Sequence, residues 1–89
     1  MNRYVLKNVG ELKHAVLECV AAHDGQWYWY QLDRALIATN PHLSAELMTA
    51  IQELETDGFI RISQNPERPD LPVYWVTDAG NAALAARSA

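Results

Sequence analysis

Between residues 9 and 23 the apolar side chains return every three or four positions: Val9, Leu12, Val16, then Cys19 or Val20. That is the stripe of one helical face, so the spacing predicts a first helix. Asp24 and Gly25 end it, because glycine reaches the left-handed conformation that terminates helices. Four aromatic residues follow in "GQWYWYQL", Trp27 to Tyr30, a run too short to make a helix of its own. Leu32, Ala35 and Leu36 resume the helical spacing and predict a short second helix that stops around Thr39, Asn40 and Pro41. A third helix is expected to start near Ser44, a good N-cap, burying Leu47, Ile51 and Leu54 before Gly58 closes it.

After Gly58 the period becomes extended. "FIRIS" (59–63) and "VYWVT" (73–77) are rich in β-branched and aromatic residues and predict a β-hairpin. Between them, "QNPERPDLP" carries Pro66, Pro69 and Pro72, which remove ladder donors and predict a stiff tip without regular pairing. Thr77 and Asp78 are placed to cap a last helix bearing Ala79, Ala82, Ala83 and Leu84. With 89 residues and no repeat or linker, residues 1–89 read as one domain. A hydrophobic share of 49% is that of a folded chain rather than a disordered one. No stretch approaches the ~20 apolar residues of a membrane span, and none has the order of a signal peptide. Cys19 is a single cysteine and forms no internal disulfide, so a cytoplasmic location is expected.

The order helix, short extended piece, helix, helix, hairpin, helix resembles a winged helix-turn-helix domain, similar to those of MarR and PadR bacterial transcriptional regulators. The resemblance rests on "YQLDRAL" (30–36), "LMTAIQELETDGFIRI" (47–62) and "YWVTDAGNAAL" (74–84). Its matched positions, Leu54, Gly58, Phe59, Ile60, Tyr74, Val76, Thr77, Gly80 and Leu84, are all structural, so it implies a fold more than an activity. The implied fold is α+β, a three-helix bundle with a β-hairpin wing and a C-terminal helix.

Such a fold implies double-stranded DNA as partner, with the third helix in the major groove and the wing on the backbone. Once the apolar face is set aside, Ala45, Glu46, Met48, Thr49, Gln52 and Glu53 face outward. Thr49 and Gln52 suit base edges, Ser44 suits a phosphate at the helix start, and Arg61 and Arg68 lie on the hairpin. The expected DNA-binding set is therefore Ser44, Ala45, Met48, Thr49, Gln52, Arg61 and Arg68. Charge opposes it. Residues 31–72 set Arg34, Arg61 and Arg68 against Asp33, Glu46, Glu53, Glu55, Asp57, Glu67 and Asp70, a net −4 that equals the charge of the whole chain. DNA-binding domains present a basic face, so the alternative is a protein-protein interaction module, an adaptor or accessory subunit, or a phage- or plasmid-borne factor, offering an acidic surface and binding no DNA.

In the aromatic run, alternation puts Trp27 and Trp29 on one side and Tyr28 and Tyr30 on the other. The readings are core and hinge, a homodimer or partner surface through exposed aromatics, or a base-stacking platform, which normally comes with a positive groove. Trp75 points outward if Tyr74 and Val76 point inward. The N-terminal residues and the Ala-rich last helix are the candidates for a dimer contact. Cys19 and His23 lie four apart, with His14 and His42 elsewhere, but a zinc site wants four ligands, with a second closely spaced pair. No metal or cofactor is expected, and without a nucleophile and base held by a third group the chain is expected not to be an enzyme.

Overall fold

A computed structural model describes residues 8–65 and 68–88. Helix α1 (Val9–Ala22) starts at Asn8, whose side-chain oxygen accepts from the Glu11 N–H at 2.9 Å, an N-cap. It buries Leu12, Val16, Cys19 and Val20 together with Ala15 and Leu17. The helix ends where the His23 N–H returns to the Cys19 carbonyl and Gly25 takes φ 72°.

Helix α2 (Trp29–Leu32) runs directly into a π-helical turn, Asp33–Ile37, closed by the Ala38 N–H on the Asp33 carbonyl at 3.2 Å. Asn40 ends this segment. It is 2% exposed, and its amide donates to the Leu36 carbonyl at 2.7 Å while its own carbonyl accepts from the Leu43 N–H at 2.9 Å. A 3-10 helix, Pro41–Glu46, then leads into α3 (Leu47–Thr56), which buries Leu47, Ala50, Ile51 and Leu54 as its spacing predicts. The expected start at Ser44 is corrected: Ser44 lies inside the 3-10 turn, and Glu46 precedes α3 without a side-chain cap bond. Leu43 and Leu47, four apart and both buried, keep a helical spacing across the junction, which hides the change of helix type.

The end of α3 is a Schellman motif. The Phe59 N–H donates to the Leu54 carbonyl (2.9 Å) and the Gly58 N–H to the Glu55 carbonyl (3.0 Å), with Gly58 at φ 82°. Strand β1 (Ile60–Asn65) follows and pairs antiparallel with β2 (Arg68–Val76). Ile60 faces Val76 and the register holds to Ser63 opposite Val73, then shifts before Asn65 opposite Arg68. One residue of β1 is thus set against residues 69–72 of β2, including Pro69 and Pro72, so pairing resumes beyond the prolines where the sequence predicted none.

Helix α4 (Asp78–Ser88) is capped as expected: the Thr77 hydroxyl oxygen accepts from the Gly80 N–H at 3.0 Å. The same hydroxyl donates to the Gly58 carbonyl at 2.6 Å, and the Thr77 N–H donates to the Phe59 carbonyl at 3.0 Å. Gly80 is buried, and a Cβ there would collide with the Phe59 carbonyl oxygen.

The core joins these elements through Leu12, Val16 and Val20 of α1, Leu32 and Leu36, Leu47 and Ile51 of α3, Ile60 and Tyr74. The segment 25–27 forms no strand; it is a turn that leads into α2 while closing the outer edge of β2. The Tyr74 N–H donates to the Trp27 carbonyl (3.2 Å), its carbonyl accepts from the Gly25 N–H (2.9 Å), and the Val76 N–H donates to Asp24 Oδ1 (2.8 Å). The architecture is α+β with a two-stranded antiparallel sheet, compatible with a winged helix.

Two glycines of the same junction separate backbone strain from collision. At Gly58 nothing lies within 4 Å of an added Cβ. Gly58→Ala is therefore expected to cost only the left-handed penalty, about 1–2 kcal/mol. At Gly80 the obstacle is backbone, so Gly80→Ala is expected to cost more, about 2–4 kcal/mol. Urea denaturation of the two variants checks the order, and equal losses would contradict it.

Candidate nucleic-acid interface

With Leu47, Ala50, Ile51 and Leu54 turned inward, α3 leaves Met48, Thr49 and Gln52 exposed, and Ala45 and Ser44 are exposed on the preceding 3-10 turn. These five predicted residues share the outer side of one helical run. Ser44 is not at the amino end of a helix, however, so its expected phosphate role loses the free amides on which it was built. Met48, 45% exposed, and Tyr30 are the large hydrophobic side chains that are exposed among the described residues.

The acids around this surface are not equivalent. The Lys13 ammonium on α1 binds Glu53 at 3.1 Å and Asp57 at 3.5 Å, drawing both carboxylates toward α1. The Glu53 hydrogen bond, opposed by partial burial, holds the Lys13 pKa above its ordinary value. Glu46, expected to face outward, is half-buried, and its Oε2 is sealed from solvent with no hydrogen-bond partner among the described residues.

On the hairpin, Arg61 is exposed and stands across from Trp75 in the register. Its guanidinium carbon lies 5.8 Å from the Trp75 ring centre, within reach of a cation-π contact. Trp75 occupies the face opposite Tyr74, but it is half-buried rather than free: its ring covers Gly25 and its Nε1 donates to Ser63 Oγ at 2.8 Å. Arg68 stands opposite Asn65, in the pair next to the hairpin tip.

The expected alternation of an extended run does not apply, because Trp29 and Tyr30 lie in α2 and Tyr28 is half-buried like the tryptophans; of the four only Tyr30 is exposed. Trp27 and Trp29 pack against the core, and Trp27 stacks flat on His23 at 3.9 Å. Tyr30 is exposed and meets Trp29 edge to face at 5.4 Å. Tyr28, Tyr30, Gln31 and Arg34 line an open cleft of about 350 Å³, and a second of about 320 Å³ lies among Gly10, Lys13, Leu17, Leu54, Phe59 and Ala83. Cys19 is buried, and His14 pairs with Glu18 at 3.5 Å. Among the described residues no cluster of three metal-binding side chains occurs, and no helix is long and apolar enough to cross a membrane.

Sequence reasoning missed Lys13, because its partners are 40 and 44 residues away and nothing local announces them. It also missed Arg34, which lines the open cleft with Tyr28, Tyr30 and Gln31. Its spacing of four from Tyr30 becomes a signal only because the helix starts at Trp29, earlier than the expected start at Leu32.

The fold is similar to that of smu.1704 from Streptococcus mutans, whose crystal structure matches with a TM-score of 0.72 and 19% sequence identity over 99% of this chain and 80% of that one. At that identity the likeness concerns the fold alone. No protein-family model matches the chain, and no curated protein matches it.

Two groups make the fold sensitive to alkali. Burial, and secondarily the charge of Glu55, push the Tyr74 phenol above 10.0, and Lys13 is raised above 10.5. Both hold their protons more tightly when folded, so their stabilisation is complete below the unfolded values and is lost as pH rises through the folded ones. Stability is expected to be flat from neutrality to about pH 9.5 and to fall above 10. Tyr74→Phe should make that fall shallower. Denaturation midpoints at pH 7, 9, 10 and 11 check this, and identical pH curves for the two proteins would remove Tyr74 from the account.

Proposed function

We propose that the chain is a winged helix-turn-helix DNA-binding domain, a small cytoplasmic transcriptional regulator similar to MarR and PadR proteins, with α3 in the major groove and the β1–β2 hairpin on the backbone. One observation carries the reading: Ala45, Met48, Thr49 and Gln52 form an exposed, uncharged run, while Glu53 and Asp57 beside it are occupied by Lys13. An uncharged helix face can enter the groove without the repulsion that the net charge of −4 implies for the molecule as a whole. Gln52 suits bidentate contact with adenine, Thr49 either a base edge or a thymine methyl, and Arg61 and Arg68 the phosphates.

A second reading is favoured by the exposure of Tyr30 and Met48, at 55% and 45%. Exposed aromatic and methionine side chains in an acidic surface suit a protein-interaction module with a basic partner. The two readings differ in their response to salt.

Binding to mixed-sequence duplex DNA is expected at low ionic strength and should weaken as salt rises, with a logarithmic slope of about −0.9 per phosphate contacted. At a preferred site Thr49→Ala and Gln52→Ala are each expected to lower affinity about 5- to 50-fold without lowering stability. Arg68→Ala should weaken all sequences alike. Absence of any complex at low salt would favour the interaction module, and equal affinity of all variants and the parent would remove α3 from the groove.

A further inference from the structure

The outward half of the aromatic run has a chemistry that groove reading does not use. Tyr28, Tyr30, Gln31 and Arg34 enclose an open cleft of about 350 Å³, at the lower end of the roughly 300–1,000 Å³ typical of small-molecule sites. None of the four side chains is acidic. Arg34 is exposed and forms no ion pair among the described residues, which leaves its planar fork of donors available to an oxyanion. The Gln31 side-chain oxygen accepts from the Tyr28 N–H at 3.2 Å, a bond that leaves its NH₂ donors uncommitted. Tyr30, 55% exposed, presents a ring whose edge-to-face contact with Trp29 at 5.4 Å limits its rotation. An exposed ring, two phenols, an amide donor and an unpaired guanidinium together suit a flat group carrying an anion.

We propose that this cleft binds a nucleotide phosphate, with the phosphate on the Arg34 guanidinium and the base against the Tyr30 ring. Base-aromatic stacking supplies the first contact and a charge-assisted, bidentate hydrogen bond the second. The phosphate contact is offered by a free mononucleotide and by the backbone of DNA, whereas the base contact needs an unstacked base, which a duplex does not present. The site does not rest on α3 entering a groove.

Amide NMR titration of the intact chain with AMP, adenosine and inorganic phosphate, without DNA, tests it. AMP is expected to saturate, perturbing amides from Tyr28 to Ala35, and to bind at least about tenfold more tightly than adenosine. Arg34→Gln should reduce AMP to the adenosine level. Tyr30→Leu should weaken AMP and adenosine together, by about fivefold or more. Both side chains are exposed, so neither variant removes core packing. Equal binding of AMP and adenosine, undiminished AMP binding by Arg34→Gln, or perturbations centred elsewhere would each overturn the site. A mixed-sequence duplex identifies the source. If it perturbs the same amides and AMP competes, the ligand is a backbone phosphate; if it leaves them unchanged while AMP saturates them, the ligand is a free mononucleotide. A chain that binds AMP here and no duplex at all would refute the DNA reading and uphold this one.

Discussion

The contact on which the rest of the arrangement depends is the meeting of Thr77 with the turn at Gly58 and Phe59. One threonine supplies three bonds there: its hydroxyl oxygen caps α4, its hydroxyl hydrogen goes to the Gly58 carbonyl, and its N–H goes to the Phe59 carbonyl. The end of α3, the two open ends of the hairpin and the start of α4 are thereby fixed at one point. A helix end leaves backbone groups without partners, and this junction satisfies groups from two helices at once. Gly80 completes it by letting α4 lie directly on the Phe59 carbonyl. The orientation of α3 relative to the hairpin, and so the placing of Gln52 relative to Arg61, follows from this node rather than from any contact between those side chains.

Much of the node was legible in the sequence because its chemistry is local. Gly58 needs a left-handed residue, Thr77 needs a hydroxyl three residues before an amide, and the buried stripes of α1 and α3 repeat at helical spacing. What was not legible had long range or ambiguous period. Leu43 and Leu47 keep the same spacing whether the turn between them is α or 3-10, so the start of α3 was placed too early. The π turn at Asp33–Ile37 likewise leaves Leu32 and Leu36 four apart and buried. Asn40 reads as a helix stop, yet its burial and its bond to Leu36 depend on the packing around it.

The exposure of Ala45, Met48, Thr49 and Gln52 was legible in the helical spacing, and the electrostatics around them less so. Counting charges along residues 31–72 gives a uniformly unfavourable surface, because a count assigns every carboxylate the same exposure and no partner. The fold distinguishes them. Glu53 and Asp57 meet a lysine that the count excluded, and Glu46 is partly withdrawn from solvent. For exposed pairs such as these the energetic return to stability is small, about 0–1 kcal/mol, so their importance lies in where they leave the field rather than in holding the fold.

The turn that covers the outer edge of β2 bears on how readily that strand can pair with another extended chain. A two-stranded ribbon ordinarily offers backbone along both margins to any other extended chain. Here one margin is occupied by residues 24–27 at Tyr74 and Val76, and further along the same strand Pro69 and Pro72 have no amide hydrogen to give. Strand addition along β2 is thus opposed where residues 24–27 take up the backbone groups of Tyr74 and the Val76 N–H, and Pro72, two residues from Tyr74, has no donor to offer a neighbour.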